Sequence, residues 1–246
     1  SGVARTHDVK TTAHAEFAFQ EKKGVWDMRK SVPDSWELSW RNVKFYARLT
    51  GFKHTGLFPE QAPNWEWISE KVSKLEKPNV LNLFGYTGIA SLVAAQAGAF
   101  VTHVDASKQS LDWAHDNARL SKIPEDTIRW ILDDALAFAK REIRRGTRYD
   151  GIILDPPAFG RGAKGEVWKI EEDLSTLLNT LKELLSDTPG SFLLINGYAA
   201  GYAPKSFAQA IESVFGNAAG ECGELYIQES GSLRVIPAGI YVRFVR

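Results

Sequence analysis

Cysteine and methionine are almost missing from this chain: Cys222 and Met28 are the only examples among 246 residues. A lone cysteine permits no internal disulfide, and no Cys/His spacing resembles a structural zinc site, so no metal is expected. Long apolar runs are missing as well. None reaches the roughly 18 to 20 residues that cross a bilayer, and the opening SGVARTHDVK lacks the apolar core of a signal peptide. The expectation is a cytoplasmic protein with no membrane partner. The chain starts Ser-Gly without an initiator methionine, so further sequence upstream is expected. Excess charge of either sign is the third absence, with 30 Lys plus Arg against 30 Asp plus Glu. Proteins that grip long nucleic acid by its phosphates usually carry a basic excess, because counterion release supplies much of the affinity. Global charge therefore speaks against that mode of binding. Arg141, Arg144, Arg145 and Arg148 recur at helical spacing, which a solvated helix face explains.

What is present is a hydrophobic fraction of 44%, enough for a sizeable core and one large domain with an appendage. Over about residues 14–62 the pattern is short and β-like: AEFAFQ, SWELSW, VKFYARL, then the glycine-flanked GFKHTGLFP. We read residues 1–62 as a small β-rich element and 63–246 as the main domain. PNWEWISEKVSKLEK reads as a helix, with Asn64 as N-cap and Pro78 at its far end. From Val80 onward strands and helices alternate. NVLNLF, FVTHVD, TIRWIL, YDGIILD and SFLLING are near-continuous apolar runs, as parallel strands buried on both faces should be. Helices are expected near 89–97, 108–121, 135–145, 171–186 and 205–215, with Ser107 as an N-cap and Gly98 and Gly146 as C-terminal caps. GELYIQES and GIYVRFVR close the chain as an antiparallel pair. The fold class is α/β: a Rossmann-like, mostly parallel sheet whose ligands sit at the carboxyl ends of its strands.

Four strand ends carry chemistry. After the first, Gly85-Tyr86-Thr87-Gly88 spells GxxG rather than the three-glycine dinucleotide fingerprint, and Tyr86 and Thr87 fill space that a pyrophosphate needs. A nucleoside without phosphates fits better. Asp105, at the next strand end, lies 17 residues after Gly88, near the roughly 20-residue spacing of a ribose-binding acid. Asp133 and Asp134 close the third strand, where one would accept from the base's exocyclic amine and the other cap the following helix. At the fourth, Asp155-Pro156-Pro157-Ala158-Phe159 makes a stiff turn. Its two prolines remove backbone donors and leave acceptors facing a planar amine or heterocycle, on which Phe159 can stack.

These placements together resemble the class I S-adenosylmethionine-dependent methyltransferases. Within them, KHTGLFPEQ (53–61), VLNLFGYTG, VDASKQSLDWAHDNA and DPPAF resemble bacterial large-subunit ribosomal RNA methyltransferases acting on cytosine carbon-5 or guanine nitrogen-7, over about residues 43–205. The resemblance implies a class I sheet with an antiparallel last strand and S-adenosyl-L-methionine as cofactor. It implies that Phe84, Gly85, Tyr86 and Gly88 border the cofactor's methionine part, Asp105 its ribose and Asp133 or Asp134 its adenine, with Asn82, Thr87, Ala106 and Ser107 also among the cofactor-binding residues. Thr55, Gly56, Phe58 and Gln61 would cover it from a hairpin. Two departures stand out. Where the family hairpin reads Asp-Gln-Arg and ends in a second arginine, this chain has Glu60, Gln61, Ala62 and then Trp65. Where carbon-5 methylating relatives carry a nucleophilic cysteine, it has Asn196-Gly197-Tyr198-Ala199-Ala200, and carbon-5 needs a covalent adduct that no thiol here can form. The matched stretch contains no counterpart of the family's RNA-binding domain.

The resulting expectation is methyl transfer to a nitrogen, of a nucleobase in ribosomal RNA, without a cysteine nucleophile. Asp155 and Pro156 would hold the acceptor, with Phe159 stacking on it and Tyr198 lining the pocket. The glycine- and lysine-bearing loop 160–169 reads as a lid, a phosphate contact or a plain surface loop. Three rivals stay open: a small-molecule or protein acceptor, a nicotinamide-dependent oxidoreductase, and a binding module that lost its chemistry.

Overall fold

The computed structural model describes residues 13–20, 23–51, 54–161, 165–198, 203–216 and 220–246. Two antiparallel hairpins come first: β1 (Ala15–Gln20) with β2 (Lys23–Met28), and β3 (Trp36–Trp40) with β4 (Val43–Ala47). A 3-10 turn, Pro59–Gln61, leads into α1 (Ala62–Val72). Alternation then runs β5 (Asn79–Leu83), α2 (Ile89–Gln96), β6 (Phe100–Asp105), α3 (Lys108–Leu120), β7 (Ile128–Leu132), α4 (Ala135–Arg144) and β8 (Gly151–Leu154). A short hairpin, β9 (Phe159–Arg161) with β10 (Val167–Lys169), precedes α5 (Ile170–Leu184), β11 (Phe192–Gly197), α6 (Pro204–Phe215), β12 (Gly220–Gln228) and β13 (Val235–Val245).

Seven strands form the central sheet in the order β12-β13-β11-β8-β5-β6-β7. All neighbours pair in parallel except at β13, which runs antiparallel between β11 and β12. The expected antiparallel last strand is thus present. Every residue of β8 and β11 is buried, which accounts for their continuous apolar runs: a parallel strand covered on both faces has no solvent side to mark with polar residues. One face packs against α4, α5 and α6 through Phe138, Leu177, Leu181 and Phe207. The other packs against α1, α2 and β4 through Phe45, Trp65, Ile68 and Leu92. Strand order reverses between β5 and β8, so the crevice beyond their carboxyl ends is where such sheets bind ligands.

The second hairpin is fastened to this sheet by side chains that satisfy the outer edge of β4. Tyr46 N donates to Asn117 Oδ1 (2.8 Å), and Trp113 Nε1 donates to Tyr46 O (3.0 Å). Ser121 Oγ accepts from Lys44 N at 2.9 Å. Asn117, fully buried, also donates to Thr87 O at 2.9 Å, linking the hairpin to the glycine-bearing turn. Replacing it leaves the half-buried Tyr46 N–H and the buried Thr87 carbonyl unpaired, an unmade bond costing about 1–3 kcal/mol where burial is complete. Asn117→Ala is therefore expected to lower unfolding free energy by about 2–4 kcal/mol, read as a reduced urea midpoint at unchanged slope.

Three expectations for this region need correcting. Asn64 does not cap α1: the helix starts at Ala62, and Asn64 is buried inside its first turn. Pro63 is tolerated in that turn because its missing N–H would have no helical partner there. The helix also stops at Val72, short of Pro78. The stretch 54–61 is no β-hairpin. Arg48 N bonds Thr55 O, and the chain then passes through left-handed Gly56 into the 3-10 turn. Lys53, Gly162, Ala163, Lys164, Ala199 and Ala200 lie outside the described residues.

Candidate active site

At the carboxyl end of the sheet lies a cavity of about 520 Å³, within the roughly 300–1,000 Å³ typical of small-molecule sites. Its walls come from the ends of β5, β6, β7, β8 and β11, the turn holding His54 and Phe58, and the β9–β10 hairpin. A smaller cavity of about 60 Å³ adjoins it behind Phe58, Phe84 and Tyr86. Asp155 lines both.

The turn after β5 is strained. Phe84 and Tyr86 hold φ values of 55° and 50°, which bulky residues rarely adopt. The strain aims both rings at the cavity. Phe84 meets Trp168 with centroids 5.1 Å apart, and Tyr86 meets Phe58 at 5.8 Å. Gly85 has a different role from the expected close approach to ligand. A Cβ there would stand 2.3 Å from the His103 ring, so its missing side chain makes room for a core residue. His103 is fully buried, and burial together with His115 pushes it down to about 3, keeping it neutral. Thr87 donates to Gly56 O at 2.7 Å, tying the 54–58 turn to this one. Gly88, left-handed, opens α2. Asn82 faces the smaller cavity and donates to Ser91 Oγ, which bonds His103 Nδ1.

Asp105 is the hub of the next strand end. Its Oδ2 accepts from Tyr86 N and its Oδ1 from Ser107 N, both at 2.8 Å. A carboxylate offers about four lone-pair sites, so each oxygen keeps one acceptor for a ligand, the pattern a vicinal diol matches. Burial raises the Asp105 carboxyl, and the two N–H bonds act against that rise. Ala106 and Ser107 line the same wall, and Ser107 caps α3 as expected, accepting from Ser110 N. At the end of β7 the two aspartates divide: Asp134 caps α4, accepting from Ala137 N at 2.8 Å, and Asp133 pairs with Arg141. Both reach the cavity.

At the end of β8, Pro156 is buried behind the wall while Pro157 and Ala158 form it. Asp155 Oδ1 is enclosed and has no hydrogen-bond partner among the described residues. Burial, and then the Glu60 carboxylate, push Asp155 up to about 7. Tyr198, from the end of β11, accepts a hydrogen bond from Gln61 Nε2 and stacks near Phe58 at 5.9 Å. Burial and Asp155 raise its hydroxyl. Phe159 departs from expectation: it starts β9, is 56% exposed and lines neither cavity. Thr55, Gly88 and Pro156 also line neither. Sequence reasoning missed Trp168, which donates to Pro157 O at 2.7 Å and takes the wall position next to Phe84. Its signal was the alternation in EVWK, a strand pattern hidden inside what reads as a loop. His54, Ser110 and the buried Glu60 were also missed, whereas Arg161, read as part of a lid or phosphate-contact loop, does line the cavity.

Asp155 has a stability signature. A carboxyl held near 7 in the folded chain against an ordinary 3.8 binds its proton more tightly when folded. That stabilisation is complete below pH 4 and is lost as pH rises through 7. Asp155→Asn is thus expected to melt near wild type at pH 4.5 and several degrees higher at pH 8, reflecting about 2–4 kcal/mol. Equal melting shifts at both pH values in scanning calorimetry would contradict this.

The residues fit S-adenosylmethionine on two observations: a carboxylate at Asp105 with one lone pair free on each oxygen, and a polar strand end at Asp133 in the same cavity. The comparisons agree. A solved S-adenosylmethionine-dependent methyltransferase from Agrobacterium tumefaciens is 40% identical, with a TM-score of 0.91 over 97% of this chain and 79% of that one. Ribosomal RNA large subunit methyltransferase K/L of Shewanella frigidimarina is 35% identical over 146 residues, 58% of this chain and 20% of the relative. Its counterpart in Shewanella pealeana is 32% identical over 181 residues, 72% of this chain and 24% of the relative. The matched stretches thus span about a fifth to a quarter of these relatives. The model of the S-adenosylmethionine-dependent methyltransferase family matches residues 10–210, and the chain belongs to that family.

Proposed function

We propose that this methyltransferase modifies a nucleobase nitrogen in ribosomal RNA, without a cysteine nucleophile. The observation that carries the reading is one cavity with Asp105 toward one end and the unpaired Asp155 at the other. S-Adenosylmethionine supplies an already activated methyl group, so the protein's work is alignment and exclusion of water. Asp105 would hold the ribose hydroxyls. Asp133 would take the adenine amine, since Asp134 is spent on its helix cap. Phe84, Tyr86 and Thr87 would border the methionine part, with Phe58, Gly56 and Gln61 covering it from the N-terminal element.

Asp155 would hold the acceptor, walled by Pro157, Tyr198 and Trp168 in place of the outward-facing Phe159. Trp168 and Tyr198 offer aromatic surface against which a base can stack. The ribosomal RNA names of the curated relatives support the substrate, and such a substrate implies a cytoplasmic location. Lack of a thiol supports nitrogen over carbon-5: β11 ends Asn196-Gly197-Tyr198, and Cys222 is exposed on β12. The test is transfer of tritiated methyl from the cofactor into ribosomal RNA of a strain lacking the gene. Label in RNA is expected; label in metabolites or protein but never in RNA would sink the substrate.

A further inference from the structure

A buried polar chain runs beneath the glycine-bearing turn. Asn82 Nδ2 donates to Ser91 Oγ at 2.8 Å, and Ser91 Oγ lies 2.9 Å from His103 Nδ1. None of the three residues is more than 2% exposed. Ser91 Oγ already accepts from Asn82, so its own proton is satisfied by Nδ1, which places the ring hydrogen on Nε2. Nε2 is enclosed and has no hydrogen-bond partner among the described residues. It lies against the turn: a Cβ built on Gly85 would stand 2.3 Å from His103 Cε1 and 2.9 Å from Nε2. The Tyr86 backbone is near enough to act on the ring yet completes no hydrogen bond to Nε2. Tyr86 N is engaged by Asp105, so the group left for an Nε2–H is the Tyr86 carbonyl. On either side of Gly85, Phe84 and Tyr86 keep left-handed backbones. An open buried donor beside a strained turn is costly, and such features concentrate at ligand clamps and switch segments.

From this geometry we infer that His103 is a positioning residue of the cofactor turn: held by Asn82 and Ser91, its Nε2–H bonds the Tyr86 carbonyl once S-adenosylmethionine lies against the turn. The inference rests on the cofactor placement proposed above and extends it to a residue that lines neither cavity. His103 and Asp105 stand two apart on β6, so strand alternation puts both side chains on one face. Asp105 then takes the N–H of Tyr86 and His103 its carbonyl, and both polar groups of one strained residue are fixed from a single strand. Tyr86 lines the cavity, so fixing its backbone fixes a wall of the cofactor site. Trp130, its ring centroid 4.9 Å from that of His103, backs the imidazole and limits its freedom to turn away. Cofactor binding and closure of this bond are coupled, each favouring the other, because the cofactor has the greater affinity for the turn in its bonded form. Without the bond, ordering the turn falls to the cofactor's own contacts, and affinity drops.

The test uses the full chain with isotope-labelled histidine and backbone nitrogen, and S-adenosylhomocysteine as the probe. Imidazole NMR spectra should show the His103 hydrogen on Nε2, with the Nε2–H proton resonance moving downfield as the probe binds. Ser91→Ala combined with His103→Phe removes both partners of one hydrogen bond and keeps an aromatic ring in the core, a pairing of changes that is nearly neutral for folding. That double variant should melt within a few degrees of wild type but bind the probe about tenfold or more weakly by calorimetry. His103→Gln, whose amide can accept from Ser91 and still offer an N–H, should bind within about threefold of wild type. Backbone amides of Gly85, Tyr86 and Thr87 that ignore the probe would overturn the cofactor placement and the inference with it. Responding amides beside an unmoved Nε2–H would overturn the inference alone, as would a ring hydrogen on Nδ1 or wild-type affinity in the double variant. The wild-type spectra decide even where a variant does not fold.

Discussion

Asp155→Ala is expected to lower kcat by about 10³-fold or more while changing cofactor affinity by less than about threefold. In the proposed arrangement Asp155 holds the methyl acceptor, and loss of orientation or of a positioned acid–base group each costs about 10²-fold or more. Cofactor binding should survive because no described backbone or side-chain group depends on Asp155 Oδ1. Removing a buried carboxyl with a strongly raised proton affinity should not weaken the fold at neutral pH. Single-turnover rates set beside calorimetric affinities separate the two effects. A variant that binds cofactor poorly but transfers at the wild-type rate when saturated would reverse the assignment.

Asp105→Ala should do the opposite. Two charge-assisted hydrogen bonds to a diol, at about 1.5–3 kcal/mol each, correspond to a loss of roughly 10²–10⁴ in affinity. Part of that loss would be indirect, because Tyr86 N and Ser107 N both rely on this carboxylate. Freed of it, the strained Tyr86 has less reason to keep its left-handed backbone. Asp105→Asn tests the division: a carboxamide keeps one acceptor oxygen and should lose less affinity than alanine. At saturating cofactor the transfer rate of Asp105→Asn should return to within about tenfold of wild type, because a contact to the ribose hydroxyls serves binding more than the methyl-transfer step.

Much of this was readable in the chain because its strands are buried on both faces. β8 and β11 must be apolar throughout, so their runs and the helices between them stand out. Ser107 was readable as a cap because capping is a local hydrogen bond, and the same holds for an acid pair at 133–134. Which of the two caps was not, because the answer lies in the backbone dihedrals of adjacent, chemically identical residues. Asn64 looked like a cap for the same local reason, yet its partners Asn196 and Arg243 come from remote strands. Gln61 and Tyr198 are 137 residues apart, and their contact exists only once the N-terminal turn folds over the sheet. Phe159 follows two prolines whose fixed dihedrals turn the chain outward into β9, handing its expected wall position to Trp168.

A crystal structure with bound S-adenosylhomocysteine tests the central claim most directly, that one cavity holds the cofactor at Asp105 and presents its sulfur toward Asp155. The account predicts both ribose hydroxyls within hydrogen-bond distance of Asp105, the adenine amine at Asp133, and the sulfur facing Asp155 beside Tyr198. A nucleoside seated against Asp155, or a ribose that does not touch Asp105, would contradict it.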